Sequence, residues 1–115
     1  MGKAERDKGA RGERLLKQEL EKAGIRVNRG WSLYGEPDLM GVDGIHVECK
    51  FVEKLNLREA MAQSIRDAEK LRDGAPTVFH KKSREEWLVT MRLADWIELY
   101  KTQQNWENLK KWKTQ

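Results

Sequence analysis

Two acidic residues and a lysine lie close together in the sequence: Asp38, Glu48 and Lys50. Two carboxylates held side by side repel each other unless a cation lies between them or they share a proton. Mg²⁺ takes oxygen ligands, commonly one or two carboxylates together with water and substrate phosphate. A nearby ammonium group can hold a water molecule or neutralise charge that develops on a phosphate. These residue types therefore suit metal-assisted chemistry at a phosphate, provided that the chain brings them together.

The segment between the two acids predicts a β-hairpin that would do so. Val42-Asp43-Gly44 suits a three-residue loop, a type I turn closed by a glycine in the left-handed region. With that loop Asp38 pairs with Glu48 and, because side chains alternate along a strand, Lys50 shares their face. A two-residue loop would instead set Asp38 opposite Cys49 and scatter the three groups. The alternate residues of the second strand are apolar and are expected to pack inward: Ile45, Val47, Cys49 and Phe51. The simpler alternative is a charged solvent face with one cross-strand Glu–Lys pair.

Patterning along the rest of the chain predicts one domain, residues 1–115. The expected elements are a helix at 11–23, a strand at 25–31, the hairpin, a helix over the stripe 57–71 with Asn56 as N-cap and Gly74 and Pro76 as its stop, strands at 77–80 and 87–91, and a helix at 93–100. This order indicates an α/β (α+β) fold with a mixed central sheet flanked by helices. Residues 1–10 are expected to be loose. Residues 102–115 are expected to form an amphipathic tail that docks on the body, joins a dimer or faces DNA.

Composition narrows the functional classes. The 115 residues carry a net charge of +4, which is compatible with a polyanionic partner. No apolar run approaches the roughly 20 residues of a membrane span, and no signal-peptide pattern opens the chain. The single cysteine excludes an internal disulfide and fits a reducing compartment. A cytoplasmic protein without membrane contact is therefore expected.

Three short motifs resemble those of a known enzyme superfamily. Gly12-Glu13, Pro37-Asp38 and Glu48-Cys49-Lys50, in this order of elements, resemble the PD-(D/E)XK nucleases, whose core is restriction-endonuclease-like. Within that superfamily, the small size and the leading segment from Lys8 to Glu13 look like archaeal Holliday junction resolvases and related phage-encoded endonucleases. The resemblance spans residues 8–91 and leaves the C-terminal tail outside.

The resemblance implies a role for each motif residue. Asp38 and Glu48 would bind Mg²⁺ or Mn²⁺, joined by the backbone carbonyl of Cys49. Lys50 would position the attacking water or stabilise the phosphate in the transition state. Glu13 would add a third acid from the first helix, bound to the metal directly or through water.

Three further residues are weighed on the same basis. Ser32 matches a loop serine found near the metal in resolvases, although a turn serine is the commoner explanation. Gln63 lies on the second helix where many relatives carry a glutamine near the site, but Asp67 stands where those relatives have a tyrosine. His46 shares the polar face of its strand and is expected to be a surface histidine.

The function implied is a Mg²⁺-dependent endodeoxyribonuclease acting on branched DNA, as a homodimer because a four-way junction is two-fold symmetric. Five basic residues are candidates for phosphate contacts: Arg11, Arg14, Lys81, Lys82 and Arg84. The location would be intracellular, and a phage-infected or prophage-carrying bacterium would fit. Two alternatives remain open: a nuclease of the same fold acting on ordinary duplex or flapped DNA, and a non-catalytic DNA-binding module.

Overall fold

The computed structural model of the protein describes residues 3–30 and 38–114. The order of elements agrees with the order predicted from the sequence. The elements are α1 (Lys3–Lys22), β1 (Asn28–Arg29), β2 (Leu39–Met40), β3 (Ile45–Phe51), α2 (Leu57–Leu71), β4 (Ala75–Lys81), β5 (Leu88–Met91) and α3 (Leu93–Thr114). None of the helices in these ranges is long and apolar enough to cross a membrane.

The five strands form one mixed sheet in the order β1-β2-β3-β4-β5. The β3–β4 pair is parallel, and the other three pairs are antiparallel. Parallel neighbours need a long connection, which here is α2. The predicted fold class, a mixed central sheet flanked by helices, is confirmed.

The hairpin that carries the acids has the predicted register. Leu39 pairs with Val47, as the three-residue loop requires. The Ile45 N–H donates to the Val42 carbonyl at 3.1 Å, and Gly44 adopts a φ of +80°. A side chain at Gly44 would be strained in this conformation, which explains why glycine ends the turn.

Helices cover both faces of β3. On one face α1 packs over an apolar core made of Leu16, Val27, Leu39 and Val47. Gly12 allows close approach on this side, because a Cβ there would lie 2.6 Å from the Cβ of Phe51. On the other face the residues of α2 that are buried are small: Ala60, Ser64 and Ala68. Small side chains bring α2 close to the sheet, so the polar face of β3 is covered rather than solvated.

The loop before β4 braces the tip of the hairpin. Gly74 has a φ of +139°, and a Cβ at this position would collide with the backbone of Gly44. The Ala75 N–H donates to the Gly44 carbonyl at 2.8 Å. α2 ends at Leu71, the last residue of the predicted apolar stripe, and Pro76 lies further on, inside β4 and opposite His46. The pairing with β5 starts one residue later at Thr77, and a strand residue without an N–H is tolerated at such a margin.

Both chain ends are more helical than expected. α1 begins at Lys3, within the segment 1–10 that the sequence predicts to be loose. Alanine and long charged residues with good helix propensity outweigh the cost of Gly9 inside the helix. α3 runs from Leu93 to Thr114 as one helix, so the short helix and separate tail are one element. Its sequence contains neither glycine nor proline to end it near residue 100.

The tail does not dock on the body over its described residues. Trp106 and Leu109 are 59% and 52% exposed. These two side chains of the predicted apolar stripe therefore do not pack on the body. A dimer contact and a DNA-facing arm stay predictions.

Candidate active site

Most residues singled out from the motifs meet in one cavity at the sheet edge. The cavity lies beside the C-terminal half of β3, between α1 and α2, and has a volume of about 450 Å³. Beside this cavity the Asp38 N–H donates to the Val47 carbonyl at 3.2 Å and so ties the start of β2 to β3. The polar residues around the cavity are Lys8, Glu13, Asp38, Glu48, Lys50 and Gln63.

Asp38 is held at the end of β2 by the neighbouring strand. Its Oδ2 accepts the Cys49 N–H at 2.6 Å. Burial raises the pKa of Asp38 to about 7, the negative charge of Glu48 adds to this increase, and the bond from Cys49 opposes it. The negative charge of Glu13 also raises the pKa of Asp38, so Asp38 is repelled by both neighbouring carboxylates.

Glu48 presents one carboxylate oxygen to the cavity side. The residue is only 5% exposed. Its Oε2 accepts a bond from the Gln63 amide at 3.4 Å and lies 4.0 Å from the Lys50 ammonium. The Lys50 Nζ in turn donates to the Gln63 Oε1 at 3.2 Å. Gln63 therefore links the acid to the lysine, and α2 is the element that supplies it.

Glu13 reaches the same cavity from α1. Its Oε1 accepts a bond from the Arg29 Nε at 3.1 Å, which ties the helix to β1 and fixes the direction of the carboxylate. Glu13 is half-buried, one helical turn after Gly9. The structure thus brings together Glu13, Asp38 and Glu48, as the motif resemblance implied.

The donor set suits a hard divalent ion. Three carboxylates converge, and their mutual repulsion favours a cation between them. Burial raises the pKa of the Cys49 thiol, so the sulfur stays protonated and the residue would offer only its carbonyl oxygen. In a strand the N–H and C=O of one residue point to the same edge, and the Cys49 N–H points to Asp38. The Cys49 carbonyl therefore points to the same side of β3 as Asp38.

Positive charge borders this cavity at Phe51. The Lys8 Nζ, the Arg11 guanidinium and the Lys81 Nζ lie 5.0, 5.6 and 5.7 Å from the centre of the phenyl ring. The ring forms part of the cavity wall. Two of the five basic candidates, Arg11 and Lys81, therefore lie against a wall residue of the cavity.

The remaining candidates are placed elsewhere. Arg14 is exposed on α1, and Lys82 and Arg84 are exposed in the loop between β4 and β5. Lys82 lies 4.0 Å from Glu85, and Arg84 has a φ of +66°. Ser32 lies outside the described residues.

The prediction that His46 is a surface histidine is wrong. Its exposure is 0%, because α2 covers the face of β3 that carries it. Its Nδ1 lies 3.0 and 2.9 Å from the two carboxylate oxygens of Asp73, and its Nε2 lies 3.4 Å from the Glu48 Oε1. Burial would lower the pKa of His46, but the bonds to Glu48 and Asp73 outweigh burial and raise the pKa.

The sequence analysis missed a polar cluster around this histidine. His46, Glu48 and Asp67 each place one possible ligand atom within 4.8 Å of the others. Two signals pointed to it: His46 alternates with Glu48 and Lys50 along β3, and Asp67 follows Gln63 by four residues on α2. Residues four apart share one helix face, so Asp67 is expected to face the sheet with Gln63.

Comparison with known proteins supports the resemblance drawn from the motifs. No protein-family model matches the chain, and no curated protein sequence matches it significantly. Among solved structures, the chain is similar to Hjc, a Holliday junction resolvase from the archaeal hyperthermophile Archaeoglobus fulgidus. The two are 28% identical with a TM-score of 0.56, over 73% of this chain and 72% of Hjc. The fold is thus that of an archaeal-type resolvase, and the resemblance to this group of nucleases is confirmed.

Proposed function

We propose that the protein is a metal-dependent DNA endonuclease that hydrolyses phosphodiester bonds in branched DNA, as a Holliday junction resolvase does. The observation that carries the proposal is the meeting of Asp38, Glu48 and Lys50 in one cavity. A module that only binds DNA has no need for two adjacent buried carboxylates, which repel both each other and phosphate. The similarity to Hjc supports the choice of substrate class.

Each cavity residue has a role that its geometry supports. Asp38, Glu48 and the Cys49 carbonyl would hold Mg²⁺ or Mn²⁺, with Glu13 as a further ligand. When bound, such an ion lowers the pKa of a coordinated water and screens the phosphate from the acids. The Lys50 ammonium, held by Gln63 at 3.2 Å, would orient the attacking water or offset charge on the phosphate.

The basic residues around Phe51 would position the DNA backbone. Lys8, Arg11 and Lys81 surround the ring at the cavity wall, so a phosphate there would lie near the acids. Contacts to phosphate set register without reading sequence, which fits recognition of DNA shape. Lys82, Arg84 and Arg14 would extend this contact along the duplex arms.

We further propose that the active form is an intracellular homodimer. A four-way junction has two-fold symmetry, and its resolution requires two incisions and hence two cavities. Each chain supplies one cavity of this kind within its described residues.

The test uses labelled four-way junctions, flaps and linear duplexes incubated with the protein and Mg²⁺. We expect paired, symmetric incisions in the junction and little cutting of linear duplex. Equal cutting of all three substrates would instead indicate a general nuclease of the same fold. Tight junction binding without cleavage in Mg²⁺ or Mn²⁺ would refute both enzymatic functions.

An Asp38→Asn variant controls for contaminating nucleases. It removes a charge from the proposed metal site, while the carbonyl oxygen of the substituted amide can still accept the Cys49 N–H. Incisions that persist unchanged in this variant would come from another source.

A further inference from the structure

The polar cluster beneath α2 has ligand geometry of its own. His46, Glu48 and Asp67 offer one atom each, and these atoms lie within 4.8 Å of one another. His46 and Glu48 are buried and Asp67 is half-buried. His46 precedes Glu48 by two residues on β3, Asp67 lies on α2, and only Glu48 also belongs to the proposed Mg²⁺ ligands.

The histidine is oriented in the way that metal-bound histidines are. Both carboxylate oxygens of Asp73 lie about 3 Å from His46 Nδ1. A carboxylate in this place fixes the proton on Nδ1, so that the lone pair of a neutral ring lies on Nε2. Nε2 then faces Glu48, which is itself an acceptor. Two acceptors do not bind each other without a cation or a proton between them.

The distance between these two acceptors favours a cation. Nε2 and the Glu48 Oε1 lie 3.4 Å apart, whereas hydrogen bonds between charged groups are usually about 2.7–2.9 Å long. Two ligands bound at about 2.1 Å to one tetrahedral ion lie roughly 3.4 Å apart. The Nδ1–Asp73 distance of 2.9 Å is, by contrast, that of a direct hydrogen bond.

The negative charge around His46 also favours a bound cation. Three carboxylates, those of Glu48, Asp67 and Asp73, surround one imidazole. Within the described part of the chain, the only lysine or arginine paired with any of them is Lys50, 4.0 Å from the far oxygen of Glu48. The Asp67 side chain has no hydrogen bond or ion pair with any described residue. Even a protonated ring would therefore leave the cluster negative.

We propose that His46, Glu48 and Asp67 bind a first-row transition-metal ion of the Zn²⁺ class, at a site distinct from the Mg²⁺ site. An imidazole nitrogen with two carboxylates suits Zn²⁺, Mn²⁺ or Co²⁺, whereas Mg²⁺ prefers oxygen ligands alone. Asp73 is the positioning residue that orients His46. The inference extends the proposed nuclease site, because Glu48 would join the two ions, but binding of Zn²⁺ does not require cleavage.

Zinc binding is measured in an Asp38→Asn background, which impairs the Mg²⁺ site and leaves the second site intact. Isothermal titration calorimetry with ZnCl₂, with Mg²⁺ in excess, is expected to show one tight ion per chain. X-ray absorption at the zinc edge is expected to show an imidazole nitrogen among the ligands. The protein contains only one other histidine, His80, so the signal can be assigned by substitution.

Four variants separate this site from general effects. His46→Gln and Asp67→Asn are each expected to weaken Zn²⁺ binding by at least about tenfold, and Asp73→Asn by about 10–100-fold as an outer partner. His80→Gln is the matched control, because the His80 Nε2 lies 2.9 Å from the Thr90 Oγ1 on β5 and not in this cluster. Glu69→Gln controls for Asp67→Asn, since Glu69 is exposed on the same helix.

Absence of tight Zn²⁺ binding, or a zinc spectrum without imidazole, would overturn the inference and leave a proton between His46 and Glu48. Equal affinity in Asp67→Asn and Glu69→Gln would also overturn it, even if His46→Gln failed to fold. Junction cleavage by the wild type without any zinc site would refute this inference alone. A zinc site in a protein that cuts no DNA would refute the proposed function alone.

Discussion

At the scale of single residues, Asp38 makes the protein sensitive to pH. Its pKa is raised to about 7 in the folded state, mainly by burial, against 3.8 for the free side chain. The folded state therefore binds a proton more tightly than the unfolded chain between about pH 4 and pH 7. Stability contributed by this group is greatest below pH 4 and is lost as the pH rises through 7.

Without metal, we expect Asp38→Asn to raise the melting temperature at pH 8 by about 4 °C. This shift corresponds to an increase of about 1 kcal/mol in the free energy of unfolding. The gain should shrink towards pH 4, where Asp38 is protonated in both states. Thermal unfolding of the wild type and Asp38→Asn at pH 4, 6 and 8, with a chelator present, measures this difference in melting temperature. Asp43→Asn, in the exposed hairpin turn, is the control; a gain of the same size there, or one constant with pH, would contradict the explanation.

Lys50 should matter for catalysis more than for DNA affinity. We expect Lys50→Met to reduce junction cleavage by at least about 10²-fold, because it removes the ammonium group that lies 4.0 Å from Glu48. Junction affinity should change by less than about tenfold, or 1.4 kcal/mol, since affinity comes from dispersed basic contacts. Single-turnover cleavage and gel-shift titrations measure the two quantities. Lys70→Met, exposed on α2, should change neither, and a Lys50→Met protein that still cuts at the wild-type rate would remove this residue from the mechanism.

The burial of His46 shows what the sequence pattern of a strand does not reveal. Alternation along β3 placed His46, Glu48 and Lys50 on one face correctly, but alternation does not reveal what covers that face. The covering element, α2, lies next to β3 only through the tertiary fold. A polar strand face that is buried under small helix residues therefore looked like a solvated one.

At the scale of elements, α1 depends on one glycine and is weakened by another. Gly12 faces Phe51 at a distance where no Cβ fits, whereas a Cβ at Gly9 would meet nothing within 4 Å. Both lie inside the same helix.

We therefore expect the two glycines to respond to alanine with opposite signs. Gly9→Ala should raise the free energy of unfolding by about 0.5–1 kcal/mol through helix propensity. Gly12→Ala should lower it by about 1–3 kcal/mol, because α1 must move off β3. Urea unfolding of the two variants forms a matched pair. A stabilised Gly12→Ala protein would show that the packing of α1 on Phe51 is looser than described.

Elements with local signals were predicted better than those without. Val42-Asp43-Gly44 determines its own turn, and Asn56 caps α2 by accepting the Glu59 N–H at 3.1 Å, as predicted. α3 has no comparable stop signal, so its length could not be read from the apolar stripe at 93–100. Pro76 could not be assigned to its strand from the sequence, because its tolerance there depends on where β5 stops pairing.

At the scale of the whole molecule, the net charge of +4 conceals an uneven distribution. Carboxylates lie inside the cavity, and Lys8, Arg11 and Lys81 border it at Phe51. DNA binding should therefore depend on salt, with the slope set by residues near the cavity rather than by total charge.

Arg11→Gln is expected to reduce the slope of log affinity against log salt by about one. Lys101→Gln, on exposed α3 and equal in charge change, should leave the slope closer to that of the wild type. Fluorescence anisotropy with a junction between about 50 and 200 mM salt measures both. Equal slopes for the two variants would indicate that binding follows overall charge and not the residues around Phe51.

The contact between Gly44 and Gly74 has a consequence for engineering and for evolution. The two bends are in such close contact that the Gly44 backbone leaves no room for a Cβ on Gly74, and the Ala75 N–H donates to the Gly44 carbonyl. If the acid-bearing hairpin were grafted into a related scaffold without the bend at Gly74, the hairpin tip would lose this contact. The hairpin and the bend must therefore be transferred together. In natural descendants of this chain, an insertion in either bend should be accompanied by a compensating change in the other.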